Sequence, residues 1–358
     1  MKSLAPPTHD PSRSLVAYWL WLVCTLIIIM VAVGGITRLT ESGLSIVNWE
    51  PVSGTLPPLT EERWMEEFEK YKATPQYEKI SREGEMTLSD FREIYFWEFV
   101  HRSLGRFIGL AYAVPFFIFL IRGKIKGSMV WKLGVGLLLG GGQGLLGWYM
   151  VKSGLVDRPY VSHFRLAAHL CMALLLFSYL LWLVLDLHPF WTHRKTNYQS
   201  ISRLRTFSIV FLCLLVLQIV YGAFTAGLRA GYMYNTWPLM GNRFFPAGGW
   251  DYRPMMMNLV SNPATVQFIH RHLGLLVLAG LIGLWVFAQT HRLMVRQKMG
   301  FNLLLICGAI QFLLGLYTLV SGVNMVAAVA HQVVACLLLG STVLVVHELF
   351  EPDHLREI

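Results

Sequence analysis

Eight stretches of the chain are almost wholly apolar, and polar, charged and turn-forming residues collect between them. They cover roughly residues 15–36, 94–121, 133–151, 166–187, 207–227, 265–288, 303–321 and 325–347. A helix needs about 20 such residues to cross a hydrocarbon core, so each stretch predicts one membrane-spanning helix. An even number of spans leaves both termini on one side, and the basic residues choose it. Arg122, Lys124, Lys126 and Lys132 follow the second span, His193, Arg194, Lys195, Arg203 and Arg205 the fourth, and Arg292, Arg296 and Lys298 the sixth. Loops rich in Lys and Arg stay cytoplasmic, which puts both termini there too. The two longest connections, residues 37–93 and 228–264, then face outward, one in each half of the chain. Within the first, Glu61–Lys72 sets Trp64, Phe68 and Tyr71 at i, i+4 and i+7. That aromatic stripe suits either a helix lying on the membrane surface or a helix capping the bundle.

Composition narrows the class. Of 358 residues, 55% are hydrophobic and 14% charged, against about 25% charged in a soluble domain, and the mean hydropathy is +0.51. An ordinary soluble enzyme is excluded. The net charge of +9 does not imply nucleic acid, because no basic stretch is interleaved with aromatics and the Lys and Arg residues act as topology signals. Cys24, Cys171, Cys213, Cys307 and Cys336 all lie inside apolar runs, so neither a disulfide framework nor a zinc site is expected. Lys2 and Arg13 precede a first apolar run that is too long for a signal-peptide core and lacks a small-x-small cleavage site, which predicts a retained span. Without an Arg- and Ser-rich amphipathic leader, a bacterial inner membrane is the expected location.

The second half repeats the first. Gly34, Thr37, Gly43 and Trp49 align with Gly222, Thr225, Gly231 and Trp237 at one offset, and His101-Arg102-Ser103-Leu104-Gly105 aligns with His270-Arg271-His272-Leu273-Gly274. Gln143, Gly147, Tyr149, Ser153 and Gly154 align with Gln311, Gly315, Tyr317, Ser321 and Gly322, and Ala168-His169 with Ala330-His331. The expected fold is therefore an all-α membrane protein whose eight transmembrane helices form two tandem pseudo-symmetric four-helix bundles, residues 1–190 and 191–358. Each half holds an even number of spans, so the copies share one orientation and form a parallel repeat.

Ionisable side chains inside spans are costly and usually functional. His101, His169, His270 and His331 qualify, each near the start of an even-numbered span and hence near the outer face. In each half the two come from the second and fourth helices of a bundle and can face one another across its core. Such a pair suits a heme iron held by two imidazoles, whereas metal alone lacks a carboxylate or thiolate to complete its ligand set. A single histidine in a span is more often a hydrogen-bonded packing residue or a proton relay than a heme ligand; four of them, duplicated at equivalent positions, favour the heme. His9, His163, His188, His193, His272, His291, His347 and His354 lie at span ends, in loops or on other helix faces, and are read as interfacial.

Arg102 and Arg271 follow the second-helix histidines, and Arg106 lies one turn beyond Arg102. They suit either heme propionates or snorkelling to lipid headgroups. The halves differ at one informative place: Glu98 stands three residues before His101, whereas Gln267 precedes His270. A carboxylate can accept a proton or stabilise developing positive charge, and an amide cannot do the first. This points to chemistry in the first bundle and a resident cofactor in the second, unless Glu98 simply pairs with Arg102 at i+4.

These residues resemble the heme A synthase family over nearly the whole chain. The resemblance rests on the Gly34-Gly35-Ile36-Thr37-Arg38-Leu39-Thr40 to Gly43-Leu44-Ser45 run, the Glu98-x-x-His101-Arg102 segment, His169 with His331, and His270-Arg271. It implies an oxidoreductase that converts the C8 methyl group of heme O to a formyl group by two successive hydroxylations, with water as oxygen source, giving heme A for cytochrome oxidase. It further implies heme b as resident cofactor on His270 and His331, His101 and His169 bracketing the substrate heme, and Glu98 as the catalytic residue. Implied partners are heme O, the farnesylating enzyme that makes it (heme O synthase), an unidentified electron acceptor and membrane lipid, and a homo-oligomer is compatible. Some members carry a cysteine pair in each outer loop. This chain has none there, is similar to the proteobacterial and mitochondrial branch, and is not expected to use thiols.

Two other classes compete. A di-heme membrane cytochrome b would use the four histidines equally well, but leaves Glu98 against Gln267 without a reason. A transporter built on parallel repeats would want helix-breaking polar residues at mid-membrane, and Gly140-Gly141-Gly142 reads instead as helix packing.

Overall fold

A computed structural model describes residues 11–48, 53–78, 86–154, 160–187 and 198–350. Ten helices occur among them: α1 (Pro11–Leu39), α2 (Glu61–Lys72), α3 (Leu88–Ile121), α4 (Ser128–Gly154), α5 (His163–Leu187), α6 (Tyr198–Gly227), α7 (Met257–Ser261), α8 (Pro263–Gln289), α9 (Val295–Val320) and α10 (Met325–Leu349). All except α2 and α7 are long and apolar enough to cross a membrane. The chain is a multi-pass, all-α membrane protein. Trp49, His9, His188, His193, His354 and the expected boundary between residues 190 and 191 fall outside the described residues.

Each spanning helix is longer than its apolar run, because polar residues in a terminal turn keep backbone hydrogen bonds inside the helix while their side chains reach water. At the start of α3 the extension has a visible cause. Thr87 and Asp90 form a reciprocal cap there, which starts the helix six residues before the apolar run. Asn262 and Asn324 cap α8 and α10 through their side chains in the usual way.

The helices pack as two rings of four. In one, α1 and α4 each pack on α3 and α5; in the other, α6 and α9 each pack on α8 and α10. Between rings, α1 lies on α10, α5 on α6 and α5 on α10. Exchanging the halves turns the first contact into the second and the third into itself, which is the signature of a pseudo-two-fold axis.

Loop residues mark that axis. Glu41 and Arg229, equivalent in the repeat, both adopt left-handed backbone (φ 58° and 54°), and each precedes a short 3-10 turn, Ser42–Leu44 and Ala230–Tyr232. Their side chains pair with one another across the axis. Arg38 donates to the carbonyls of its own equivalent, Ala226 (2.9 Å), and of Gly227 (3.3 Å).

The large apolar core occupies one end of both rings. It takes residues from the N-terminal parts of α1 and α6 and from the C-terminal parts of α3, α5, α8 and α10, including Leu20, Leu180, Leu204, Leu281 and Leu338. Because successive spans run in opposite directions, these parts lie at the same end. The four span histidines lie at the other end, where the two longest connections attach.

The aromatic stripe of α2 faces protein. Phe68 and Tyr71 are buried and pack with Phe91 and Tyr95 of α3, with Trp64 meeting Tyr95 edge-on at 5.0 Å. Of the two readings the sequence leaves open, the capping helix is the one observed.

Candidate functional site

Each of the four histidines sits against a glycine on a neighbouring span. His101 of α3 faces Gly34 of α1, His169 of α5 faces Gly147 of α4, His270 of α8 faces Gly222 of α6, and His331 of α10 faces Gly315 of α9. A Cβ added to these glycines would stand 3.4 Å from His101 Nε2 and 3.1, 3.1 and 2.8 Å from Cε1 of His169, His270 and His331. Glycine is thus the residue that lets the imidazoles approach the adjoining helix this closely. The repeat extends to the amides: Gln143 and Gln311 each place Nε2 3.3 Å from Nε2 of His169 and His331. Alignment alone marks these glycines and glutamines as repeated, and their placement against the imidazoles is the structural reason.

The histidines pair within each ring. His101 and His169 are close enough to interact electrostatically, as are His270 and His331. All four are half-buried. Their anchoring differs between rings. His331 Nδ1 donates to the Gln311 carbonyl (3.1 Å), a tautomer assigned from the network in which Nε2 is the acceptor and takes the Gln311 side-chain amide. Its equivalent, His169 Nδ1, has no hydrogen-bond partner, and neither has His270 Nδ1. Gln218 donates to the His270 carbonyl (3.1 Å), where the first ring has Met30.

Glu98 is 2% exposed. Its Oε2 accepts from Ser45 Oγ and from the Ile46 N–H, both at 2.7 Å, and Oε1 accepts from Arg102. Arg102 also donates to the carbonyls of Ile46 (2.8 Å) and Asn48 (3.2 Å). The second ring reproduces the scaffold: Arg271 donates to the equivalent carbonyls of Tyr234 and Thr236. Gln267 replaces the carboxylate, with Nε2 donating to Tyr234 O (3.0 Å) and Oε1 left without a partner. Arg106 is half-buried one turn beyond Arg102.

Among the histidines read as interfacial, His347 differs. It is 2% exposed and pairs through Nε2 with Asp186 Oδ1 at 3.0 Å, joining α10 to α5 at the end of the bundle away from the other four. His272 lies against Phe268 and Phe244, and bonds the Phe268 carbonyl.

Residues 17–343 match the COX15-CtaA family, described as cytochrome oxidase assembly protein. The chain is 46% identical to the heme A synthase of Flavobacterium psychrophilum over 93% of its own length and 97% of the relative's. It is 42% identical to that of Parvibaculum lavamentivorans, covering 95% and 96%, and 44% identical to that of Rhizorhabdus wittichii, covering 97% of each. The chain belongs to the heme A synthase family. For a heme A synthase family member the relevant test is whether the donor set fits an iron porphyrin, and it does. Each ring offers two imidazoles, and no cluster of three or more His, Cys, Asp or Glu able to hold a metal ion occurs among the described residues. A porphyrin brings its own equatorial nitrogens and asks the protein only for axial ligands.

Proposed function

We propose that the chain is a heme A synthase of a bacterial inner membrane, oxidising the C8 methyl group of heme O to a formyl group. The observation that carries this reading is the difference between two scaffolds that share equivalent arginine-to-carbonyl contacts: an anchored carboxylate, Glu98, beside the first histidine pair and an amide, Gln267, beside the second. The net reaction adds one oxygen atom from water and releases four protons and four electrons, through two successive hydroxylations and loss of water. It therefore needs a proton acceptor near the methyl carbon and an electron acceptor outside the chain.

His101 and His169 bracket the substrate's iron and set its plane in the first ring. Glu98, one turn from His101 on the same face of α3, takes up protons released there or orients the attacking water. Arg102 holds the Glu98 carboxylate and carries further N–H donors. Together with Arg106 it serves the substrate propionates, and Arg271 serves those of the resident group. Heme b, when bound between His270 and His331, supplies one-electron redox chemistry. The anchored Nδ1 of His331 suits a group that stays, and neither His169 nor His270 is held in the same way. An even span count with basic inner loops supports cytoplasmic termini and a periplasmic site. Heme O synthase is the natural supplier of the substrate.

The test is heme extraction and chromatography with mass detection from cells that also express a heme O-forming enzyme. Glu98→Gln should retain heme b at wild-type level and accumulate heme O in place of heme A. Wild-type heme A output from that variant removes Glu98 from the mechanism. The same experiment separates a di-heme electron carrier, which would leave heme O unchanged in the unmutated chain.

A further inference from the structure

The carboxylate is not the only difference between the halves at this place. The residue equivalent to Ser45 in the second half is Met233, at the same offset that aligns Gly43 with Gly231 and carries the left-handed Glu41 onto Arg229. Ser45 is 1% exposed, whereas Met233 is 51% exposed and cannot donate a hydrogen bond. So two of the positions that distinguish the rings, Ser45 with Glu98 against Met233 with Gln267, are in direct contact in the first ring.

We propose that Ser45 is a positioning residue that lets Glu98 hold either protonation state. The inference rests on the reading of Glu98 given above. Ser45 Oγ stands 2.7 Å from Glu98 Oε2 and 3.4 Å from the Ile94 carbonyl of α3. A hydroxyl has one proton to give and lone pairs to accept with. With Glu98 ionised, Ser45 donates to its carboxylate. When Glu98 takes up a proton, the carboxyl O–H donates to Ser45 Oγ, and the Ser45 proton rotates to the Ile94 carbonyl. Neither Ser45 nor the carboxyl is left with an orphaned donor or acceptor in either state, so protonation costs the charge pair with Arg102 but no further hydrogen bond at Ser45. The Ile46 N–H and the Arg102 guanidinium are donors only and favour the ionised form alone; Ser45 is the group among these three that can reverse its role. In the second ring the equivalent residue is an exposed methionine and the side-chain amide of Gln267 never titrates, so nothing there calls for such a group.

The test uses the full chain in membranes with a heme O-forming enzyme present, comparing Ser45→Ala, Ser45→Cys and Ser45→Thr. Ser45→Ala should purify with wild-type heme b content and lower the heme A to heme O ratio on the order of tenfold, the size expected for losing a hydrogen bond to a charged group. Ser45→Thr restores the hydroxyl and should recover most of the ratio. Ser45→Cys keeps the volume with a weak donor and should behave like Ser45→Ala, which preserves the test if the alanine variant does not fold. A second readout is the infrared carboxylate band of Glu98, assigned by its loss in Glu98→Gln. It should move in Ser45→Ala and return in Ser45→Thr. A wild-type ratio in Ser45→Ala or Ser45→Cys, an unmoved band, or a Ser45→Thr no better than Ser45→Ala overturns the proposal. Full heme A production by Glu98→Gln instead breaks the reading of Glu98, whatever the serine variants do.

Discussion

Gly315 and Gly34 occupy analogous positions against a histidine, yet the space they leave differs. A methyl group on Gly315 would come 2.8 Å from His331 Cε1, closer than side chains tolerate, whereas one on Gly34 would sit 3.4 Å from His101 Nε2, at the edge of ordinary contact. His331 is also held through Nδ1 by the Gln311 carbonyl, so it cannot yield without losing that bond. Gly315→Ala should therefore displace the imidazole at an overpacking cost of about 1–3 kcal/mol and lower the heme b content of the purified protein severalfold. Gly34→Ala should leave it unchanged. Equal heme b in both variants, measured by extraction against protein concentration, would contradict this account. The repeat offsets make the histidines, glycines and glutamines legible in the sequence, because identical residues recur at a fixed spacing. The anchors of Glu98 are not legible, since Ser45 and Ile46 lie more than fifty residues away in an outer loop and one of them acts through its backbone N–H. The partner of His347 is not legible for a similar reason, since Asp186 sits on a helix of the other half.

The spanning helices follow from hydropathy because lipid leaves the backbone no partner but itself. Their ends do not, because capping and loop packing decide them. At α3, Asp90, Arg92 and Glu93 dilute the apolar run, while the Thr87–Asp90 cap and the burial of Phe91 extend the helix to Leu88. The same extra turns decide between the two readings of α2, since Phe91 and Tyr95 supply the surface that its aromatic stripe covers. Phe68 stacks on Phe91 at 5.0 Å and is 4% exposed, so Phe68→Ala should cost about 3 kcal/mol of local packing. The expected outcome is faster protease cleavage within residues 53–78 with the spanning helices still protected. An unchanged cleavage rate would place the stripe against something other than α3.

At the scale of the molecule, the duplication sets how the rings meet. A pseudo-two-fold axis requires equivalent residues to approach one another, and Glu41 with Arg229 and Arg38 with Ala226 do so. The two halves have diverged at this contact to opposite charges, which two identical halves could not offer each other. Arg229 also lies over the Tyr160 ring at 4.4 Å, so the pair ties both outer loops to the segment before α5. Glu41→Arg alone brings like charges together beside Arg38 and should lower the thermal midpoint of the detergent-solubilised protein. Arg229→Glu alone should do the same. The double exchange restores an opposite-charge pair and should recover most of the loss, with a coupling on the order of 1 kcal/mol given the partial exposure of both groups. Because attraction between exposed charges is screened, the recovery should shrink as salt is raised. Additive losses in the double variant would mean that the side chains contribute separately, and that the rings are held by the helix packing of α1 on α10, α5 on α6 and α5 on α10 and by the Arg38 bonds.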